Sequence, residues 1–339
     1  MCESTFTTMA RSFLEIASGY GYGHQNKGQN LMRALVSNGT GSSDVLTVAE
    51  LPIPEPGVGE VRIRVAAAPV NPVDIASRSG ALGTGGPFSG TFRLGWDVAG
   101  RVDAVGAAVE GYAVGDPVIG LSFWFDAYNG MQAEYAVLPV SAIAPAPRGL
   151  SLIQASTLPL NASTALQAVE LMGLEPGRTI GIIGAAGAVG GYAAQLARSK
   201  GLKVIGIGSE ADREFIGGLG ATFIDREGDV VAAVRDETGS LLDGVLDTAI
   251  IGPAALDLVR DGGTLVTLVG AAAPDPVRDI DVRAIAVEVD ADRLGRLAEL
   301  AGRGELTTRV STTFPLTAAH CAHDYSQKRG LRGRTVLVP

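Results

Sequence analysis

The chain has 339 residues, of which 46% are hydrophobic and 19% charged, and its formal net charge is −9. This balance excludes a disordered or fibrous chain and predicts a globular α/β protein large enough for two domains. The acidic charge argues against a nucleic-acid partner, and the apolar runs are too short to cross a membrane, so we expect neither.

Residues 1–31 show no helical or strand periodicity and lack the apolar centre of a signal peptide. We expect a disordered extension or a start codon placed too early, with the folded body beginning at Met32. From residue 32 to residue 150, short β-branched or apolar runs separated by Gly and Pro predict strands, and hence a small barrel or folded sheet. The predicted strands cover 33–36, 61–67, 100–105 and 116–120.

The pattern of predicted elements changes over 151–280, where strands and helices alternate. This alternation predicts a doubly wound parallel sheet. A helix over 152–171, interrupted at Pro159, leads into this part. The predicted strands are 179–183, 202–207, 245–250 and 264–269, with a helix over 188–200. The remaining part, 281–339, is predicted as an edge strand (282–289), a helix (293–301) and a terminal strand (335–338) that returns to complete the first domain.

A glycine-rich loop follows the apolar strand 179–183 directly and opens the next helix. Glycines let a backbone turn sharply and approach a pyrophosphate, which the helix N-terminus then stabilises, so this context predicts dinucleotide binding. The alternative is tight packing of helix against strand with no ligand. The loop consists of Gly184, Ala185, Ala186, Gly187, Ala188, Val189 and Gly190.

The end of the following strand decides between NADH and NADPH, because a carboxylate there binds the ribose hydroxyls of NADH. Here Ser209 can donate to a 2′-phosphate and Arg213 can neutralise it, which favours NADPH. Glu210 and Asp212 would repel that phosphate, although acidic residues are also common as solvated groups at a helix start.

Several short motifs occur in a fixed order and cover the chain from residue 32 to its end. They are MRAL at 32–35, NPVD at 71–74, GWDVAG at 95–100, AEY at 133–135, the glycine loop, and GRTVL at 333–337. Together they resemble the medium-chain dehydrogenase/reductase superfamily, in its zinc-independent quinone oxidoreductase (zeta-crystallin-like) branch. The resemblance implies a GroES-like split β-barrel catalytic domain, a Rossmann domain, and a cleft between them for nicotinamide and substrate.

Zinc-dependent members of this superfamily carry a catalytic cysteine near the NPVD motif and a histidine where this chain has Trp96. The two cysteines, Cys2 and Cys321, are too few for a zinc site or a disulfide framework and indicate a reducing, cytoplasmic location. His320, Cys321 and His323 share a helix face but do not complete a ligand set, so we expect no metal. Metal-free hydride transfer needs an acceptor that is already activated by conjugation.

The resemblance also implies roles for individual residues. Asn71 matches a position near the nicotinamide and the substrate, and Asn161 and Thr164 match nicotinamide-side contacts; the alternative for Asn71 is a turn residue before Pro72. Asp74 and Asp97 are interpreted as structural hydrogen-bond acceptors.

The family's proton-donating tyrosines are replaced by Ala76 and Leu82. Water, Ser77 or Tyr128 would have to serve instead, and we take Tyr128 as the catalytic candidate. Its loop, 122–129, is rich in aromatic residues and is typical of a wall for a flat substrate or of an apolar lid.

The sequence therefore predicts an NADPH-dependent enzyme that reduces a small conjugated carbonyl compound, a quinone or an α,β-unsaturated ketone. One alternative is an enoyl reductase that acts on a polyketide or thioester intermediate. Another is an NADPH-binding protein without activity. The resemblance also implies a homodimer, because in this family two such edge strands commonly pair across a dimer axis.

Overall fold

Residues 30–83, 88, 90–123, 130–328 and 330–339 are described by the structure, a computed structural model. Most of the predicted extension and the catalytic candidate Tyr128 lie outside these residues. The described chain from Met32 to Pro339 forms one unit.

The first part of the chain forms antiparallel strands, as predicted, and one short helix. Alternation sets the inward face: in the third strand Val61, Ile63 and Val65 are buried while Arg64 is exposed. The elements are β1 (Leu31–Asn38), β2 (Leu46–Pro52), β3 (Glu60–Val70), α1 (Pro72–Ser79), β4 (Thr91–Arg93), β5 (Asp97–Val105), β6 (Pro117–Leu121), β7 (Tyr135–Pro139) and β8 (Ile143–Pro145). Strands β2, β1 and β4 form a small sheet, and β3 pairs with both β5 and β7 in a larger one.

The second part alternates strands and helices. Its elements are α2 (Leu152–Ala155), α3 (Pro159–Met172), β9 (Thr179–Ile183), α4 (Ala188–Ser199), β10 (Lys203–Gly208), α5 (Arg213–Gly218), β11 (Thr222–Asp225), α6 (Val230–Thr238), β12 (Leu242–Asp247), β13 (Val259–Thr267) and β14 (Asp281–Ala284). The six strands are parallel and lie in the order β11-β10-β9-β12-β13-β14. This is the doubly wound Rossmann order, in which ligands bind where the order reverses, beside β9.

The last part completes the first sheet, as the sequence predicted. It comprises α7 (Ala291–Gly302), β15 (Val310–Pro315), α8 (Ala319–Ser326) and β16 (Arg334–Val338). Strand β16 runs parallel to β15 and antiparallel to β3, where Val336 lies opposite Pro69. The end of the chain therefore belongs to the GroES-like barrel.

Helix α3 joins the two parts of the molecule because it is buried on almost every side. Ala162 and Ala165 of this helix share one core with Ile119 of the barrel and Ile180 of the Rossmann sheet. A helix that is apolar all round is stable only inside such a core. It thereby sets the position of the barrel relative to the Rossmann sheet.

Two predicted strands run past the ends that the structure shows. The strand predicted over 245–250 ends at Asp247, whose carboxylate accepts hydrogen bonds from the amides of Ala249, Ile251 and Gly252 and so turns the chain. The edge strand predicted over 282–289 is β14, which ends at Ala284. The homodimer expected from this edge stays a prediction.

Ile250 adopts a left-handed backbone conformation within the turn at Asp247, with φ at 58°. A β-branched residue rarely adopts this conformation, and the cost is on the order of 1–3 kcal/mol. Its side chain is 47% exposed, so burial does not offset the strain.

We expect Ile250→Gly to raise the free energy of unfolding by roughly 1 kcal/mol, because glycine has no Cβ to clash. Chemical denaturation measures the change. Ile251→Gly is the matched control: Ile251 is 44% exposed and has φ at −84°, so glycine there should destabilise. Equal effects of the two substitutions would contradict the assignment of strain to Ile250.

Candidate active site

The glycine loop lies at the carboxyl edge of the Rossmann sheet, between the end of β9 and the start of α4. Gly184 has φ at 79°, and a Cβ there would lie 2.8 Å from the Thr248 hydroxyl at the end of β12. At Gly190 a Cβ would lie 2.3 Å from the Gly184 carbonyl oxygen, so the first turn of α4 packs directly on the loop. Both positions therefore require glycine, because the loop packs closely against Thr248 and against the first turn of α4.

A pocket opens beside this loop toward the last strands of the chain. It is lined by Ala186 and Gly187 of the loop, Tyr192 of α4, Thr157, and Arg309 and Arg334 from the C-terminal part. The Tyr192 hydroxyl lies 3.2 Å from that of Thr157, and burial raises the pKa of Tyr192 to about 12. Tyr192 therefore keeps its proton near neutral pH.

A chain of hydrogen bonds leads from this pocket into the barrel. Arg334, the first residue of β16, donates to Asn161 Oδ1 at 2.5 Å. Asn161 Nδ2 donates to Asn71 Oδ1 at 3.0 Å, and Asn71 Nδ2 donates to Asp97 Oδ2 at 2.6 Å. Each member donates in the same direction, from the cation to the anion, so the bonds polarise and strengthen one another.

The two carboxylates near this chain also hold backbone amides, as predicted for them. Asp97 Oδ1 accepts from the Leu160 amide at 2.6 Å, at the start of α3. Asp74 accepts from the amides of Asn71 and Gly95 at 2.8 and 3.0 Å. Burial raises the pKa of Asp97 to about 7, and burial, with the nearby Asp97 charge, does the same for Asp74.

The predicted nicotinamide-side residues occupy this region in different ways. Asn71 and Asn161 are in contact, which the sequence did not predict, and both are almost completely buried. The Thr164 hydroxyl donates to the Leu160 carbonyl within α3. Tyr128 and the aromatic loop 124–129 lie outside the described residues, so their predicted roles stay predictions.

The residues predicted to choose the cofactor follow β10 in the structure. Ser209 directly follows this strand, and its hydroxyl donates to Asp212 at 2.5 Å. Asp212 is 4% exposed and also accepts both bonds of a bidentate pair from Arg332, so of the two possibilities left open for Asp212 the solvated helix-start residue is excluded. Arg213 instead forms a bidentate pair with the exposed Glu210.

Sequence reasoning missed the three C-terminal arginines of this region, Arg309, Arg332 and Arg334. Arg332 and Arg334 are partly buried and paired. One signal was present in the sequence: Arg334 opens a strand whose next residues, Val336 and Leu337, are fully buried.

No group of three or more His, Cys, Asp or Glu side chains that could hold a metal occurs among the residues the structure describes. His320 and Cys321 lie 3.2 Å apart, whereas His323 is buried against Gln132. Within the described helices, none is long and apolar enough to span a bilayer.

Comparison with known proteins shows matches over nearly the whole folded part. A family model described as the alcohol dehydrogenase GroES-like domain matches residues 57–148, and one described as zinc-binding dehydrogenase matches residues 219–337. The chain is 30% identical to a quinone oxidoreductase of Mus musculus over 92% of this chain and 99% of that protein.

Further relatives and solved structures agree with this match. A 2-methylene-furan-3-one reductase of Solanum lycopersicum is 33% identical over 73% of this chain and 64% of its own length. An NADPH-dependent alkenal/one oxidoreductase of Arabidopsis thaliana is 29% identical over 91% of this chain and 80% of that protein. The structure of the quinone oxidoreductase of Coxiella burnetii superposes with a TM-score of 0.80 at 27% identity, over 91% of this chain and 100% of that one.

Gly190→Ala tests the close contact in the glycine loop. The new methyl group would meet a backbone carbonyl, and overpacking of this kind typically costs about 1–3 kcal/mol. Gly295→Ala is the control, because a Cβ on this α7 residue meets nothing within 4 Å. Thermal unfolding should show a lower midpoint for Gly190→Ala alone, and an unchanged midpoint there would contradict the packing described.

The raised pKa of Asp97 makes stability depend on pH. Folding raises this pKa from about 4 to about 7, so between these pH values the folded chain binds more protons than the unfolded chain. The stability that protonated Asp97 contributes is therefore complete below about pH 4 and is lost as the pH rises toward 7. We expect Asp97→Asn to flatten this fall in the free energy of unfolding, which denaturation at a series of pH values measures.

Asp243→Asn provides a control of opposite sign. Burial opposes ionisation of Asp243, but bonds from the Thr179 amide and the Arg260 guanidinium outweigh it and lower the pKa. Removal of the Asp243 carboxylate should therefore change the pH dependence of the free energy of unfolding only below about pH 4. If Asp97→Asn left the slope between pH 4 and 7 unchanged, Asp97 would not titrate there.

Proposed function

Since this chain belongs to the medium-chain dehydrogenase/reductase superfamily, in its quinone oxidoreductase branch, we propose that it reduces a small conjugated carbonyl compound with NADPH. The acceptor on this proposal is a quinone or an α,β-unsaturated ketone. The observation that carries the proposal is the position of Arg334, which lines the glycine-loop pocket and begins the hydrogen-bond chain that ends on Asn71 and Asp97. The pocket and the residues expected near the nicotinamide thus form one connected structure.

The glycine loop suits a dinucleotide because it connects the end of β9 directly to the start of α4, where helix N-terminal amides can hold a pyrophosphate. On this proposal Gly187 and the amides that open α4 hold the pyrophosphate, and Ser209 lies at the ribose end, beyond β10. The bound nicotinamide supplies the hydride. The printed name of the Arabidopsis relative supports NADPH as the form used.

Asn71 is best explained as a positioning residue. It is 0% exposed, and its amide is engaged on both sides, by Asn161 and by Asp97. From this place it holds Asn161 and, through it, Arg334 at the pocket wall. A positioned cation or amide donor there would stabilise the negative charge that hydride addition moves onto the carbonyl oxygen.

The reaction needs one hydride and one proton. Hydride adds to the electron-poor carbon of the conjugated system, and the displaced electron pair moves to the carbonyl oxygen. A proton from water or from Tyr128 then completes the reduction. Tyr192 is a poor acid for this step because burial raises its pKa to about 12.

A panel of quinones, α,β-unsaturated ketones and an enoyl thioester tests the proposal on the full chain, with NADPH consumption as the readout. We expect turnover with quinones or enones. Turnover with the thioester alone would favour the enoyl reductase, and NADPH binding without turnover would favour the inactive binding protein. If calorimetry detected no binding of NADPH or NADH, the proposal would fail.

Asn71→Ala probes the positioning role, because displacement of the pocket wall by about 1 Å can lower turnover roughly 100-fold. Asn38→Ala is the control, since Asn38 bonds Thr47 at the surface of the barrel. We expect lower kcat for Asn71→Ala with little change in the Kd for NADPH. Full activity of this variant would contradict the role assigned to Asn71.

A further inference from the structure

A cluster of three side chains forms at the end of β10 from residues far apart in sequence. Ser209 and Asp212 follow the strand, and Arg332 reaches them from a position 120 residues beyond Asp212. Arg332 donates through Nε to one oxygen of Asp212 and through Nη2 to the other. The same Nη2 lies 3.4 Å from the Ser209 hydroxyl.

The Arg332–Asp212 pair is a neutral unit. Burial opposes ionisation of Asp212, but the bonds from Arg332 and Ser209 outweigh it and lower the pKa of this carboxyl. The fork of donors that suits a phosphate is thus occupied by a carboxylate of this chain. Any anionic ligand at this place has to compete with Asp212 for Arg332.

A second cation, Arg309, lies next to this pair. Burial and the nearby Arg332 charge lower the pKa of Arg309, and its guanidinium lies 3.7 Å from the centroid of the Phe215 ring. Arg309 Nη1 is buried without a hydrogen-bond partner among the described residues. Arg309 also lines the glycine-loop pocket, so this end of the pocket carries an excess of positive charge.

Arg213, which the sequence suggested for the same task, is placed differently. Both of its donor groups bind the exposed Glu210, and its guanidinium lies 4.3 Å from the Phe223 ring centroid. This pair is neutral, and both side chains are more than half exposed, at 58% and 62%. Solvent screens the exposed Arg213 more than Arg332, whose pair with Asp212 is 31% and 6% exposed, so Arg213 is less suited to hold a phosphate.

We propose that Arg332, rather than Arg213, recognises the 2′-phosphate of NADPH, and that Asp212 limits the preference for NADPH by competing with this phosphate for Arg332. The inference rests on the proposed function, because it names the residues that choose the cofactor of that site. With NADPH, the phosphate takes the Arg332 donors and the Ser209 hydroxyl, and its charge is opposed by Asp212. With NADH, Asp212 keeps Arg332 and can accept from the ribose 2′-hydroxyl.

The decisive variant is Asp212→Asn, which keeps the shape of the side chain and removes its charge. We expect it to tighten binding of NADPH at least tenfold relative to NADH. Arg332→Met should have the opposite effect and abolish the preference. Arg213→Met tests the competing assignment and should leave the preference unchanged.

Calorimetry on the full chain with two fragments isolates the contact. Adenosine 2′,5′-bisphosphate carries the 2′-phosphate and adenosine 5′-monophosphate lacks it. Asp212→Asn should tighten binding of the bisphosphate at least tenfold and change binding of the monophosphate less than twofold. Arg332→Met should weaken binding of the bisphosphate and leave that of the monophosphate unchanged. Thermal unfolding of each variant shows whether it is folded. If Asp212→Asn does not fold, Arg332→Met still tests the contact between Arg332 and the 2′-phosphate.

The outcomes separate this inference from the proposed function. If the wild-type chain bound NADPH and NADH but Asp212→Asn and Arg332→Met left their ratio unchanged, the inference alone would be overturned. A loss of bisphosphate affinity in Arg213→Met, with none in Arg332→Met, would restore the assignment made from the sequence. If the wild-type chain bound no nucleotide, both proposals would be overturned.

Discussion

Two buried carboxamides connect a cation to an anion at the centre of this molecule. Arg334 and Asp97 do not touch each other; Asn161 and Asn71 transmit the interaction between them. Each of the four residues comes from a different element: strand β16, helix α3, the turn before α1, and strand β5. Loss of either end would leave a buried charge without compensation, which is among the costliest changes a folded protein can suffer. The connection therefore ties helix α3, which packs against both the barrel and the Rossmann sheet, to the barrel strands β5 and β16.

Buried carboxylates recur around the site with one shared function. Asp74, Asp97 and Asp247 each accept hydrogen bonds from backbone amides that no strand or helix satisfies. Loops and the first turns of helices contain amides without a backbone partner, and these amides need other acceptors when they are buried. In this protein the loops that carry the site are therefore held by short acidic side chains from neighbouring elements. The price is a set of carboxyl groups with raised pKa values at Asp74 and Asp97.

Local patterns predicted most of the fold and the glycine loop. The loop could be found because its glycines, the strand before it and the helix after it are adjacent in sequence. The roles of Arg332 and Arg334 could not, since their partners Asp212 and Asn161 lie 120 and 173 positions away. The role of Asp212 stayed open for the same reason: an acidic residue at a helix start is usually solvated, and only the bonds from the distant Arg332 show that this one is buried and paired. The ends of β12 and β14 depended on turns that apolar runs do not reveal.

The pairing of β16 with β3 joins the last strand of the barrel to one that precedes the whole Rossmann part. Contacts of such long range carry a loop-closure cost that slows folding. Arg334 lines the pocket as the first residue of this strand, and Arg332 lies two residues before it. A nucleotide that contacts these arginines would consequently bind the folded protein more tightly than a chain in which β16 has not yet paired with β3. By mass action it would then protect the closed form, so cofactor supply would govern how long the protein survives proteolysis as well as whether it works.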